Sequence, residues 1–294
     1  MKKTQGNWDS SDRNIYFAAI LEPQLDYYLP LYRNLLVAVN EIKSPKYRAI
    51  MSDAMESGAN ILIDSGIYNL TQVHAKKHGV SMDIALSTAP DNIDGFDSLF
   101  ALYVDIITEL GNKAWGYIEL DQGGRENKIK TRKKLERMGF NPIPVYHPIN
   151  DGWDYFDELA SNYDRICVGN LVQANNEVRK RIICTVYERS RKYPNLWIHL
   201  LGVTAHPFLY AFPVGSCDSS SLNEGLRWGL TTFETASALQ PTSSLGKRFV
   251  YNRSYEPDEP GGGHDANRIG GYTSEFMVRN WRGLLNAYKQ EGLL

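Results

Sequence analysis

The sequence predicts an α/β protein built as a (β/α)8 TIM-type barrel. Short apolar, β-rich runs alternate along the chain with stretches at helical spacing, which is the order of βα units. Several of these runs are apolar throughout, as parallel strands covered by helices on both faces must be. The turn after the first run, Leu21-Glu22-Pro23-Gln24, contains no glycine. That argues against the main competitor, an open doubly wound sheet, which carries a Gly-rich phosphate turn at this place.

In order, the expected strands are Ile15–Ile20, Asn60–Ile63, Ala114–Leu120, Pro142–Tyr146, Arg165–Val168, Leu196–Val203 and Val214–Cys217. Between most of them lie amphipathic stretches with helix spacing: Tyr28–Ile42, Leu70–His78, Asp97–Leu110, Glu126–Met138, Trp153–Asn162, Glu177–Lys192 and Leu222–Trp228. An eighth strand near Leu230–Glu234 would close the ring. Residues 1–240 are therefore expected to form one catalytic barrel, with 241–294 as a C-terminal loop and helix packing on it. The loop, Glu256–His264, is rich in proline and glycine. The helix, Thr273–Glu291, has apolar positions at Phe276, Trp281, Leu284, Leu285 and Tyr288.

The chain has 294 residues, 43% hydrophobic and 22% charged, which excludes disordered, fibrous and coiled-coil classes. A net charge of −2 excludes a polyanion-coating protein but leaves room for a nucleic-acid enzyme with a local basic face. No run approaches the ~18–20 apolar residues of a membrane span, and Met1–Asn14 does not lead into a secretory signal. No membrane partner is expected. Cys167, Cys184 and Cys217 are odd in number and scattered, which suits free thiols in a reducing cytoplasm. Without clustered Cys or His, neither a metal nor a cofactor is expected. His74 and His78 stand at i, i+4, but on a polar helix.

Chemistry in a barrel gathers at the C-terminal strand ends. Here those ends read Asp64-Ser65-Gly66, Asp121-Gln122-Gly123-Gly124, His147-Pro148, Gly169-Asn170 and Asp218-Ser219-Ser220-Ser221. One aspartate at such a place is an ordinary helix cap. Three converging on one mouth suit a glycosyl transfer, in which one carboxylate attacks an anomeric carbon and a second moves a proton. Like charges held close also drive their pKa values apart, so that one can act as an acid while another stays ionised. The stretch Arg125–Arg137 holds seven Lys or Arg and starts directly after the Asp121 loop. Arg125, Lys128, Lys130, Arg132 and Lys133 are its candidate phosphate contacts, against the plainer reading of a solvated helix face.

Together these motifs resemble the tRNA-guanine transglycosylase superfamily. Ile61-Leu62-Ile63-Asp64-Ser65-Gly66-Ile67-Tyr68 is similar to its Asp-Ser-Gly-Gly-Phe signature, with Ile67 in place of the second glycine. Leu120-Asp121 resembles its second base-reading aspartate, and Pro144–His147 with Ile166–Asn170 its base-pocket strands. His199–Val203 and Ser216–Ser221 resemble the stretch bearing the nucleophile. The closest likeness is to the DpdA-like DNA-guanine transglycosylases of bacteria and bacteriophages. The tRNA enzymes carry a Cys-x-Cys-x-x-Cys…His zinc site near the C-terminus, whereas here the last cysteine is Cys217.

The resemblance implies exchange of guanine in DNA for a 7-deazaguanine such as 7-cyano-7-deazaguanine (preQ0). It implies Asp218 as nucleophile and Asp64 as general acid/base. Asp121 would read the base edge, with His147, Gly169 and Asn170 beside it. Ser65, Gly66 and Tyr68 would complete the pocket, Tyr68 by stacking. The target base would have to leave the stack. DNA is the expected partner and tRNA the less favoured one, with a second copy of the chain or a partner subunit as further candidates. Two other readings stand beside it: a tRNA transglycosylase or nucleobase N-glycosidase on the same barrel, and a non-catalytic barrel subunit.

Overall fold

The computed structural model describes residues 2–8, 15–20, 33–203, 215–219, 230–233 and 249–252. The chain divides into two compact units, Met1–Phe17 with Asn34–Ser219, and Ala18–Arg33 with Ser220–Leu294. The first unit carries every site residue considered below.

Eight strands form one curled parallel sheet: β1 (Ile15–Ile20), β2 (Asn34–Ala38), β3 (Asn60–Asp64), β4 (Gly116–Tyr117), β5 (Val145–Tyr146), β6 (Arg165–Val168), β7 (Trp197–Leu200) and β8 (Gly215–Ser219). Their order is β4-β3-β2-β1-β8-β7-β6-β5. The end strands are joined by a single parallel bridge, Ile118 to Ile143, rather than by a ladder. There Ile143 N–H donates to Tyr117 O at 2.8 Å and Glu119 N–H to Ile143 O at 3.1 Å. Seven helices are described: α1 (Pro45–Glu56), α2 (Ile67–His78), α3 (Met82–Ser87), α4 (Phe96–Leu110), α5 (Gly124–Arg137), α6 (Trp153–Asn162) and α7 (Asn176–Ser190). The architecture is the α/β, (β/α)8-type fold.

Two expected elements are corrected. The segment Tyr28–Ile42 holds a strand, β2, and a short 3-10 turn, Val39–Glu41, where a helix was expected. Leu35, Leu36 and Val37 are buried, and an apolar run buried on both faces fits helical spacing as well as strand spacing. The eighth strand is therefore β2. Leu230–Phe233 (β9) instead pairs antiparallel with Phe249–Asn252 (β10) in a separate two-stranded sheet. The expected boundary at residue 240 and the helices over Leu222–Trp228 and Thr273–Glu291 lie outside the described residues.

Alternation along the strands sorts side chains to the two faces. Ile166, Val168, Ile198, Leu200 and Cys217 join Phe156, Leu159, Ile183 and Val186 of α6 and α7 in one apolar core. The intervening positions, Arg165, Cys167, Trp197, His199, Ser216 and Asp218, are buried as well and face the interior of the curl.

The N-terminal segment, residues 2–8, runs past the starts of the strands. Lys2 bridges Tyr163, Gln5 N–H donates to Asn141 O at 2.8 Å, and Asn7 N–H to Ala114 O at 2.7 Å. Arg165 is fully buried under this segment and donates to Thr4 Oγ1, Trp115 O and Gln5 O. Its guanidinium sits over Trp8 and Trp115 at 4.6 and 4.9 Å. The Trp8 ring meets Trp197 edge-on at 5.6 Å. Arginine and indoles thus pave the strand-start end, and burial pulls Arg165 down to about 9.

Candidate active site

The opposite, C-terminal ends of the strands collect the carboxylates. Asp64 is the last residue of β3, Asp121 follows β4, and Asp218 lies near the end of β8. Their proximity is electrostatic as well as topological. Asp64 is pushed up to about 7, first by burial and then by the negative charges of Asp121 and Asp218, against the pull of the Gly66 and Ser65 N–H groups. Burial pushes Asp121 up too, yet its net shift is downward. The His147 hydrogen bond and charge, with Lys128 behind, outweigh desolvation. The site therefore holds one carboxyl poised near neutrality beside another held firmly ionised.

Each carboxylate is built in by local backbone. Asp64 Oδ2 accepts from Gly66 N–H at 3.0 Å, tightening the strand-to-helix turn. Gly66 has φ +73°, and a Cβ there would meet Asn40 Nδ2 at 2.7 Å, so glycine is required on both counts. Asn40 Nδ2 in turn donates to Gly66 O at 3.2 Å. Ser65 is fully buried, and its Oγ accepts from Ile67 N–H at 3.4 Å. Asp121 Oδ2 is 2.8 Å from His147 Nε2. His147 N–H donates to Asp151 Oδ2 at 2.8 Å, and Asp151 is the partner of buried Lys128. Gly169 completes this corner, since a Cβ on it would meet the His147 ring and Val145 Cγ1 at 3.1 Å.

Asp218 does not merely cap a turn. Its Oδ1 accepts from Gly202 N–H at 2.9 Å and faces His199 Nε2 at 3.1 Å. Cys167, on the interior face of β6, is fully buried, its thiol pushed well up by burial and then by Asp218 and, less strongly, Asp121. It is a neutral wall rather than a nucleophile.

Asp64, Asp121, His147, Gly169 and Asp218 are thus brought to one end of the sheet. Asn170 follows with φ 60° and donates from Nδ2 to Asn150 Oδ1 at 3.2 Å. Tyr68 is on the first turn of α2 and 46% exposed. The basic stretch divides. Lys130 and Lys133 are exposed, and Arg125 bridges Asp154 and Glu158. Lys128 and Arg132 are corrections: both are interior. Lys128 pairs with Asp151, and Arg132 pairs with Glu119 at 2.9 Å and donates to Tyr155 Oη at 3.0 Å. They turn inward because 128, 131, 132 and 135 form the buried stripe of α5. His199 and Ser216 are the site residues that strand-end reading missed. Both sit mid-strand: alternation from Asp218 could have found Ser216, whereas His199 joins it only through the pairing of β7 with β8.

Among the described residues no group of three or more His, Cys, Asp or Glu is arranged to hold a metal ion. No described helix is long and apolar enough to cross a membrane. No protein-family model matches the chain, and no curated protein matches it.

Proposed function

We propose that the protein is a base-exchange glycosyltransferase, a DNA-guanine transglycosylase that replaces guanine by a 7-deazaguanine. The observation that carries this reading is the gathering of Asp64, Asp121 and Asp218 at the C-terminal ends of β3, β4 and β8, with Asp64 lifted to about 7 while Asp121 stays below its ordinary value. Such a pair supplies a proton carrier and a fixed negative acceptor in one pocket.

In the first half-reaction an Asp218 oxygen bonds to the anomeric carbon as the bond from that carbon to guanine breaks. The bond's electrons leave with the base, and protonated Asp64 supplies the proton that neutralises it. In the second, Asp64 takes the ring N–H proton of the incoming 7-deazaguanine, whose nitrogen attacks the same carbon and releases the Asp218 carboxylate. Ionised Asp121, an acceptor only, suits the N–H-rich edge of guanine-like bases. Two displacements restore the original configuration at the sugar.

The test is incubation of the full chain with 7-cyano-7-deazaguanine and either DNA or tRNA, followed by mass spectrometry of the nucleosides. Deazaguanine nucleoside in DNA supports the reading. Its appearance in tRNA alone would move the substrate to tRNA. Release of guanine without incorporation would make the protein an N-glycosidase, and no change in either polymer would favour a non-catalytic subunit.

A further inference from the structure

We propose that His199 is a positioning residue that ties up Oδ1 of Asp218 and so selects Oδ2 as the attacking oxygen. The inference deepens the reading of Asp218 as nucleophile and rests on it.

Strand register supplies the geometry. His199 and Ser216 are direct partners across β7 and β8. Trp197 lies two residues before His199 and Asp218 two after Ser216, so a period of two carries all four side chains to the interior face. His199 and Ser216 are 1% and 2% exposed, which leaves them only one another and the protein as partners.

Donor and acceptor roles then follow in order. An indole nitrogen can only donate, and Trp197 Nε1 is 2.8 Å from Ser216 Oγ, so Ser216 accepts there. Its own hydrogen is left for His199 Nδ1, 2.8 Å away. A ring nitrogen that accepts is bare, so in the neutral imidazole the hydrogen sits on Nε2, 3.1 Å from Asp218 Oδ1. The opposite tautomer would set a bare nitrogen against a carboxylate and strand the Ser216 hydrogen. An imidazolium would also carry hydrogen on Nε2, so Oδ1 is bound in either charge state.

Gly202 N–H donates to the same Oδ1 at 2.9 Å. Two donors thus converge on one oxygen, and among the described residues none donates to Oδ2. The Phe17 ring, edge-on to the imidazole at 5.8 Å and 72°, limits its swing. Charge is withdrawn from Oδ1 and the carboxylate is held in one rotamer, which leaves Oδ2 as the oxygen with no donor among the described residues.

Two measurements on the full chain test this. The first needs no activity: long-range 1H–15N spectra of the histidine rings, with His199 assigned by its loss in His199→Leu. Hydrogen on Nε2 is expected, and a bare Nε2 with hydrogen on Nδ1 would overturn the proposal. The second follows covalent protein–DNA adduct formation. His199→Leu should slow it by about 10- to 100-fold and move the acid limb of its pH profile upward, with little change in DNA affinity. His199→Gln, which restores a donor, should recover most of the rate. A folded His199→Leu protein with wild-type rate and acid limb would also overturn it. Asp218→Asn separates the two failures. Loss of a wild-type adduct in that variant upholds the nucleophile reading whatever His199 does. A wild type that forms no adduct sinks the parent reading, and with it the attacking role assigned to Oδ2.

Discussion

His147 Nε2 lies 2.8 Å from Asp121 Oδ2, and this contact is what holds Asp121 ionised despite its burial. Replacing His147 by Phe keeps the ring volume and removes the donor, so the Asp121 pKa should rise. Hydrogen bonds to charged groups are worth roughly 1.5–3 kcal/mol. The KM for the incoming base should therefore rise by about 10- to 100-fold, with a smaller effect on kcat. Steady-state kinetics against base concentration checks this, and an unchanged KM would remove Asp121 from base recognition.

Gly169→Ala tests the same corner from the other strand. The added methyl would stand 3.1 Å from the His147 ring and from Val145 Cγ1, so the imidazole must give way by a few tenths of an ångström. Base affinity should fall while the stability to unfolding drops only modestly, by about 1–2 kcal/mol of overpacking strain. Recovery of affinity on adding a smaller side chain at Val145 would locate the strain.

Asp64 makes the two half-reactions respond oppositely to pH. With its pKa near 7, adduct formation, which uses the acid, should decline above that pH, and adduct breakdown by the incoming base should rise through it. Stability follows the same group. Between 3.8 and about 7 the folded chain keeps a proton that the unfolded chain has lost. This contribution is therefore full at acid pH and given up as pH rises towards 7. Asp64→Asn, which cannot ionise, should match the wild type near pH 4 and exceed it at pH 8 by on the order of 4 kcal/mol. Equal melting temperatures at pH 8 would contradict the raised pKa.

Arg132 and Glu119 form a pair 5% and 1% exposed at their side chains. Arg132→Met leaves Glu119 buried without its partner and should cost about 3–5 kcal/mol. Adding Glu119→Gln should return a good part of it. Chemical denaturation of the two variants decides.

Lys130 and Lys133 are the exposed members of the five basic candidates that pair with no carboxylate among the described residues, so a phosphate-facing role falls to them. If both meet the backbone, replacing them should leave folding unchanged and flatten the salt dependence of DNA binding by about two in slope. An unchanged slope makes this face ordinary solvated surface.

The sequence reveals most where chemistry and spacing coincide. β1, β6 and α6 fall where their patterns place them, and the three strand-end aspartates reach one mouth. β2 was hidden because a buried five-residue run has no polar face to betray its period. α1 buries only Met51 and Met55, too few to mark a stripe, although Ser44-Pro45 at its start is a legible helix signal. Lys128 and Arg132 misled because charge suggests solvent, whereas their i, i+3 spacing with Thr131 and Leu135 put them on the buried stripe. Side-chain partners such as Glu119 and Asp151 come from distant segments, and no local pattern announces them.

Arginine and tryptophan, under residues 2–8, floor the strand starts, while the carboxylates gather at the opposite ends. In the base exchange proposed above, both bases use the carboxylate end and compete for the same Asp121 edge, so the outgoing base has to vacate before its successor arrives. During that interval the sugar must be parked on the protein, and an aspartyl ester is such a berth. A ping-pong order of events would then be a matter of traffic at one berth, with residues 2–8 at the far end of the strands from the chemistry.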